Sequence, residues 1–313
     1  MTPNPPPGVV SWDVGYGKKA ARKNTILALY GKAKTGKSEV CTRSTGPLYY
    51  AHLDPNDSLD AQLLAREEAG FKGEVFVVKC PPVPYKLLTE EKAHEYVKQL
   101  EDFAAWARAK ARDDDANGQY PGVFVIDGGR RLKGYIEKWI LGESSTLGYR
   151  AARGERSGVS QIQYAESNTY LADIVNAFVG SPLHLVITFE GKDEWKMMEV
   201  DGKRGRQPTG RVRTSMPDQT SFSINAQMEA LVEEVPLVVN NQRVGTDFVH
   251  KLRFDYVGFT GMGYLRGRTM PAMSLDELMD LLHSKIPADT VLDEPHEIVR
   301  AHMEEFDVAE DDE

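Results

Sequence analysis

The chain has little cysteine and no long apolar run, and these absences exclude several classes of protein. Only Cys41 and Cys80 occur among 313 residues, with no His or Cys at metal-ligand spacing, so neither a disulfide framework nor a zinc site is predicted. No apolar stretch approaches the ~20 residues that span a bilayer, and the proline-rich residues 1–8 lack the apolar segment of a signal peptide. We therefore expect a cytoplasmic protein without a membrane partner and with two buried thiols.

Acidic charge is concentrated at the end of the sequence. The net charge is −9, and seven of the last ten residues, Glu304 to Glu313, are acidic. Removing those seven charges leaves −2, so the body of the chain can carry local basic patches. Acidic runs are commonly disordered and solvating, and this one could also compete for basic loops of its own chain or recruit a single-strand-binding or other replication protein. The sequence leaves these roles open.

A glycine-rich stretch follows the first apolar run. Gly31, Gly36, Lys37 and Ser38 fit G-x-x-x-x-G-K-[ST], and Ile26 to Tyr30 supply the strand that this motif requires. Successive N–H groups of such a loop point at one concave site that favours a polyphosphate. We predict that Lys37 reaches the phosphates of ATP and that the Ser38 hydroxyl ligates Mg²⁺. The predicted nucleotide-binding residues are Gly31, Lys32, Ala33, Lys34, Thr35, Gly36, Lys37, Ser38 and Glu39.

Two later apolar runs end in polar side chains. Val123 to Ile126 are followed by Asp127, and the run from Leu183 to Phe189 carries Thr188 near its end and Glu190 just beyond it. Continuous apolar runs indicate central parallel strands, whose carboxyl ends bind ligands. We therefore expect Asp127 to hold Mg²⁺ directly or through water, with Thr188 and Glu190 at the same catalytic edge.

The remaining pattern predicts one α/β domain at 24–285, between a proline-rich and basic arm at 1–23 and an acidic, flexible tail at 286–313. Strands are predicted at 26–30, 48–53, 74–79, 123–127, 183–189, 231–239 and 248–254. Helices are predicted just after the glycine-rich loop, at 58–69, from Thr89, at 159–178 and from a capping box at Ser274. A β-hairpin is expected from Trp195, whereas the acidic residues 113–115 and the segment 128–158 are expected to be irregular.

The order of these parts resembles the core of RecA-type ATPases, and most closely the compact phage-encoded RecA-like ATPases of recombination and single-strand annealing. The resemblance covers about residues 24–285 and is carried by Gly31 to Ser38, Leu48 to Asp54, Val123 to Asp127 and Leu183 to Glu190. It implies a RecA-like P-loop NTPase fold with a mainly parallel sheet flanked by helices. It also implies ATP and Mg²⁺ as cofactors and a homo-oligomeric ring or filament with nucleotide at the subunit interface.

Two further roles follow from the resemblance alone. The acid that activates the attacking water falls on Asp54, where the family usually has Glu; Asp57 is close enough to compete, and either residue could instead cap the helix beginning at Ser58. A basic residue from a neighbouring subunit completes the site in that family. Lys251 and Arg253, two residues apart on one strand face, could serve, although a solvated strand face explains them nearly as well.

Basic segments follow the strands that end at Asp127 and Thr188, where RecA-type proteins place DNA-contacting loops. The segments are 130–156 and 192–213, and the second carries Lys203, Arg204, Arg206, Arg211 and Arg213 with no acid from 203 to 213. These side chains could follow the phosphates of single-stranded DNA while Trp195 or Tyr149 stacks on bases. A surface loop with scattered arginines is the simpler alternative.

The expected function is ATP hydrolysis coupled to single-stranded DNA in phage recombination, annealing or replication. A nucleotide-dependent assembly or regulatory module that binds a protein partner is the alternative from another class. A ring-type helicase motor is the third hypothesis, but the sequence lacks the separate domains that a helicase normally carries. The rate of ATP hydrolysis with and without single-stranded DNA distinguishes these functions.

Overall fold

A mainly parallel β-sheet covered by helices on both faces organises this α/β chain. The computed structural model describes residues 24–53, 59–80, 87–142, 161–200, 203–221, 223–239, 242–259 and 262–283. The strands are β1 (Ile26–Gly31), β2 (Leu48–His52), β3 (Val75–Lys79), β4 (Val123–Asp127), β5 (His184–Val200), β6 (Lys203–Thr214), β7 (Ala226–Val239), β8 (Gln242–Val257) and β9 (Thr269–Pro271). The helices are α1 (Lys37–Thr42), α2 (Leu59–Glu68), α3 (Glu90–Ala116), α4 (Gly129–Leu141), α5 (Gln161–Asn176), α6 (Asp218–Ser221) and α7 (Leu275–His283).

The sheet order is β3-β2-β4-β5-β1-β7-β8-β9, and neighbouring strands are parallel from β3 through to β7. Strands β8 and β9 continue the sheet antiparallel, and β6 pairs antiparallel with β5 beyond the common edge. Residues alternate between the two faces of each strand. Tyr49 and Phe124 therefore pack in the layer of α3, α4 and α5, whereas Tyr50 and Val125 pack in the layer of α1, α2 and α7.

Several local expectations are confirmed. Strand β4 has the predicted bounds and is buried throughout, as a central parallel strand should be. The helix after the glycine-rich loop is short, and Thr89 caps α3 by accepting a hydrogen bond from the Lys92 amide at 3.2 Å. The capping box at α7 also forms, since the Ser274 amide donates to Glu277 Oε2 at 2.7 Å and the Glu277 amide donates to Ser274 Oγ at 3.2 Å. Both cysteines are buried free thiols.

The prediction of an irregular segment after Asp127 was wrong for its first half, because residues 129–141 form α4. Gly128 adopts a left-handed φ of 117° and turns the chain from β4 directly into the helix. Leu132, Tyr135 and Ile136 then lie buried at helical spacing against the sheet. The glycines and basic residues of this segment obscured a period that was present.

Two other boundaries also differ from expectation. The acidic residues 113–115 belong to α3 rather than to a loop, and Asp114 there pairs with Lys110 one helical turn earlier at 3.0 Å. Strand β5 does not end at Phe189 but continues to Val200, because its pairing passes from β4 and β1 to β6. A register shift between Asp193 and Trp195 marks the arm formed by β5 and β6.

His184, at the start of β5, gives the fold a predictable response to acid. The Thr25 amide donates to His184 Nδ1 at 3.0 Å, which requires an unprotonated acceptor. Desolvation and the neighbouring His283 lower the pKa of His184 to about 4, against a smaller opposing effect of Asp276. The unfolded state, with its ordinary histidine pKa, therefore binds more protons than the folded state between about pH 6.5 and 4.

We expect the free energy of unfolding to fall by roughly 2 kcal/mol as the pH drops through that window, as measured by urea denaturation. His184→Gln should lose this part of the pH dependence, because glutamine can accept the Thr25 hydrogen bond without titrating. The exposed His94 on α3 supplies the control, and His94→Gln should keep the wild-type profile. Equal profiles for all three proteins would contradict the assignment.

Candidate functional site

The glycine-rich loop connects β1 to α1 by a path that only glycine fits at two points. A Cβ on Gly31 would lie 2.5 Å from the Ala230 carbonyl oxygen of β7. Gly36 has a left-handed φ of 81°, and a Cβ there would lie 2.6 Å from His250 Nδ1. The first and last glycines of the motif are therefore required by the close approach of β7 and β8 as well as by the turn itself.

Lys37 folds back along this loop. Its Nζ donates to the carbonyl oxygens of Gly31 at 3.0 Å and Lys32 at 2.6 Å, and Thr35 Oγ1 also donates to the Lys32 carbonyl oxygen at 3.0 Å. Lys32 itself pairs with Asp193 of β5 at 2.8 Å, which ties the loop to the β5–β6 arm. The rest of the predicted nucleotide-binding set is accessible: Ala33 and Lys34 are exposed, and Thr35, Ser38 and Glu39 are half-buried.

Helix α1 packs against β1, β4 and β5, and this brings its first turns towards Asp127. The buried Cys41 thiol of α1 lies close enough to Asp127 and Lys37 for both charges to change its pKa. Burial raises its pKa most, the Asp127 carboxylate raises it further, and the Lys37 ammonium lowers it. Two of the predicted catalytic charges, from separate parts of the sequence, thus act on the same side chain.

Asp127 is held by hydroxyl groups on both sides. Its exposed fraction is 3%, and it lies at the carboxyl end of β4. Tyr50 Oη donates to Asp127 Oδ2 at 2.6 Å, and Thr188 Oγ1 donates to Asp127 Oδ1 at 2.7 Å. The Gly128 amide in turn donates to Thr188 Oγ1 at 2.9 Å. The predicted association of Asp127 with Thr188 is therefore present in the structure.

The donor set here fits Mg²⁺. Magnesium commonly uses one or two protein oxygens and completes its octahedron with phosphate oxygens and water. Ser38 offers a hydroxyl and Asp127 a buried carboxylate near the glycine-rich loop. Across the described ranges no group of three or more His, Cys, Asp or Glu residues gathers as a self-sufficient metal site. Ser38 and Asp127 are thus the two candidate ligands for a metal whose remaining positions phosphate oxygens and water would fill.

The other acids predicted here have different outcomes. Glu190 lies opposite Gly31 in the sheet register, but its side chain is exposed and pairs with Arg130 of α4. Asp54, the candidate general base, and its competitor Asp57 lie outside the described residues. The last described residue before them lies at the carboxyl edge of the sheet, because the Leu53 amide donates to the Asp127 carbonyl oxygen at 3.0 Å.

The two candidate finger residues are engaged within their own chain. Lys251 pairs with Glu233, and Arg253 pairs with the buried Glu229 across the β7–β8 ribbon. Arg253 also lines a cleft of about 690 Å³ beside the glycine-rich loop, together with Arg211, Glu229, His250 and residues 32–35. Their action on a neighbouring subunit stays a prediction.

The candidate DNA-contacting residues belong to the β5–β6 arm. Lys203, Arg204 and Arg206 stand in register opposite Val200, Glu199 and Met197 of β5. Arg211 and Arg213 are exposed nearer the sheet, and Trp195 on the facing strand is 54% exposed. Tyr149 and most of the other candidate segment lie outside the described residues, and residues 130–141 of it are helical.

The sequence analysis missed three side chains near this site: Tyr50, Arg130 and His250. Tyr50 appeared to be one more apolar-run residue, and only the pairing of β2 with β4 shows that its hydroxyl meets Asp127. Arg130 was placed in an irregular segment, and His250 contacts Gly36 through a long-range approach of β8. For Tyr50, the one signal available in the sequence was a hydroxyl group inside an otherwise apolar strand.

Comparison with known proteins does not assign the chain to a family. No protein-family model matches the chain, and no curated protein matches it. Among the described residues, none of the helices combines the length and apolarity needed to cross a membrane.

Proposed function

We propose that the chain binds and hydrolyses ATP with Mg²⁺ and that it couples this activity to single-stranded DNA. The observation that carries the proposal is the convergence of Lys37, Ser38 and Asp127 at the carboxyl edge of a parallel sheet, where α/β proteins bind ligands. The resemblance to phage RecA-like ATPases of recombination and annealing supports the same function. On this proposal the protein works as a homo-oligomer in the host cytoplasm.

Phosphoryl transfer needs positioning and charge stabilisation more than covalent chemistry from the protein. Backbone amides of residues 32–36 would hold the β- and γ-phosphates, and Lys37 would leave its loop carbonyls to pair with the transferring group. Ser38 and Asp127 would hold Mg²⁺, which supplies charge neutralisation when bound. Asp54 remains the candidate to orient water, with Thr188 fixing Asp127 and Glu190 at the rim beside Arg130.

Support for the DNA step comes from the β5–β6 arm. The arm carries an exposed Trp195 and, on its facing strand, the exposed Arg211 and Arg213, which matches the combination of stacking and phosphate contacts used for single strands. The arm is continuous with the strand that carries Thr188, and Lys32 pairs with Asp193 at its base. A ligand on the arm would thus contact an element of the catalytic edge.

Replacing Arg204, Arg206, Arg211 and Arg213 together with Gln should weaken single-stranded DNA binding and leave basal ATP hydrolysis unchanged. Each lost phosphate contact lowers the slope of log affinity against log salt by ~0.7, so four lost contacts flatten it by up to ~3 units. DNA affinity measured across a salt series gives the slope directly. The matched control replaces the exposed residues Lys72, Lys98, Arg112 and Arg266, and it should keep the wild-type slope.

An unchanged slope in the arm variant, with altered thermal stability, would mean that the arm packs within its own domain. ATP hydrolysis that is also indifferent to single-stranded DNA would favour the nucleotide-dependent module that binds a protein partner.

A further inference from the structure

Tyr50 occupies an unusual place for a fully buried aromatic residue. Its exposed fraction is 0%, and its ring lies in the apolar layer formed with α1 and α7. The hydroxyl nevertheless reaches the carboxyl edge of the sheet and donates to Asp127 Oδ2 at 2.6 Å. A buried phenol commonly finds a hydrogen-bond partner, but this partner is the carboxylate of the candidate metal site.

The same hydroxyl also meets Ser38. Burial and Asp127 raise the pKa of Tyr50 well above its usual value, and the hydrogen bond from Ser38 lowers it in part. A phenol has one O–H donor and acceptor lone pairs, so the hydroxyl that donates to Asp127 can still accept a hydrogen bond from a neighbouring side chain.

This arrangement suits a metal site for two reasons of charge and direction. Neutral hydroxyls on both carboxylate oxygens fix the orientation of Asp127 and leave its negative charge in place. A lysine partner would instead cancel that charge. A Ser38 hydroxyl that donated to Tyr50 would keep its lone pairs available for a cation. Outer partners of metal ligands act in this way, by orienting them before the metal arrives.

We propose that Tyr50 is a positioning residue that holds the Asp127 carboxylate in the orientation needed to bind Mg²⁺ with a nucleotide. The inference rests on the proposed function and extends it to a residue outside the phosphate-loop motif and the Asp127 strand end. The expected effect is on the affinity for Mg²⁺. Tyr50 would act on it through Asp127, because Tyr50 itself would touch neither the phosphates nor the metal.

The test is Tyr50→Phe, which removes one oxygen and retains the packing ring. The affinity for a fluorescent ATP analogue is measured in EDTA and across a Mg²⁺ titration, followed by the Mg²⁺ dependence of ATP hydrolysis. We expect the half-saturating Mg²⁺ concentration to rise about 10-fold or more, while metal-free nucleotide affinity is unchanged.

Tyr49→Phe is the matched control on the neighbouring residue. Tyr49 is also 0% exposed, but it packs on the opposite face of β2 against Phe76 and Trp106, and its hydroxyl has no hydrogen-bond partner among the described residues. Its Mg²⁺ dependence should equal that of the wild type. A second pair covers any failure of Tyr50→Phe to fold: Thr188→Val, which removes the other hydroxyl, should weaken Mg²⁺ binding, and Thr188→Ser should preserve it.

The outcomes separate this inference from the proposed function. A wild-type protein without Mg²⁺-dependent nucleotide binding overturns both. A wild type that binds normally, with Tyr50→Phe indistinguishable from Tyr49→Phe in its Mg²⁺ titration, overturns the positioning role alone, even if the melting temperature changes. If Tyr50→Phe does not fold and Thr188→Val titrates like Thr188→Ser, the role is likewise overturned.

Discussion

Lys37→Ala should reduce ATP hydrolysis by at least about 100-fold, the loss typical of removing one stabilising contact to the charge that develops in a transition state. In the structure Lys37 Nζ donates to the carbonyl oxygens of Gly31 and Lys32 in the loop, and the side chain is half-buried rather than part of the core. The fold should therefore survive the change. Steady-state hydrolysis and thermal melting, measured on the same preparation, test both statements.

Lys98→Ala is the control for Lys37→Ala, because Lys98 is an exposed lysine on α3 in the layer across the sheet from α1. It should hydrolyse ATP at the wild-type rate. Hydrolysis by Lys37→Ala at that same rate would remove the basis for treating residues 31–38 as a phosphate loop.

Asp127→Asn should retain measurable nucleotide affinity but lose Mg²⁺-dependent turnover by about 1,000-fold, because a bound metal contributes several kcal/mol of charge stabilisation to such transition states. The substitution keeps the shape and removes the charge. It also places an amide donor against two hydroxyls, from Tyr50 and Thr188, that both donate to the native carboxylate. One of those hydroxyls must rotate to accept, so a modest loss of thermal stability should accompany the loss of turnover.

Nucleotide binding with and without Mg²⁺, turnover and melting temperature separate these effects of Asp127→Asn. The exposed Asp173 on α5 provides the matched control, and Asp173→Asn should be neutral in all three measurements. Full turnover by Asp127→Asn would mean that another strand end carries the metal ligand.

The parts of the site that sequence could predict are those set by local pattern. The glycine-rich loop depends on contiguous residues, and β4 combines an uninterrupted apolar run with a terminal acid, so its bounds and the burial of Asp127 followed directly. Pairing Asp127 with Thr188 needed one further rule, that the carboxyl ends of parallel strands share an edge.

What could not be predicted depends on register and on contacts between distant segments. Whether the Tyr50 hydroxyl meets Asp127 depends on which strand pairs with β2 and at which residue, and an apolar run contains neither fact. The engagement of Arg253 with Glu229 likewise follows from the antiparallel register of β7 and β8. Helix α4 was predictable in principle, since Leu132, Tyr135 and Ile136 have helical spacing. The glycines and basic residues of the segment obscured that spacing.

Strand β5 runs without a break from the sheet into the β5–β6 arm. Thr188, which holds Asp127, and Trp195, near the bend of the arm, lie seven residues apart on one strand, or ~23 Å at the usual rise of a β-strand. The register shift between Asp193 and Trp195 lies at the base of the arm. There the ion pair between Asp193 and Lys32 connects β5 to the glycine-rich loop. A displacement of the outer end would therefore reach the Thr188 hydroxyl along one continuous strand.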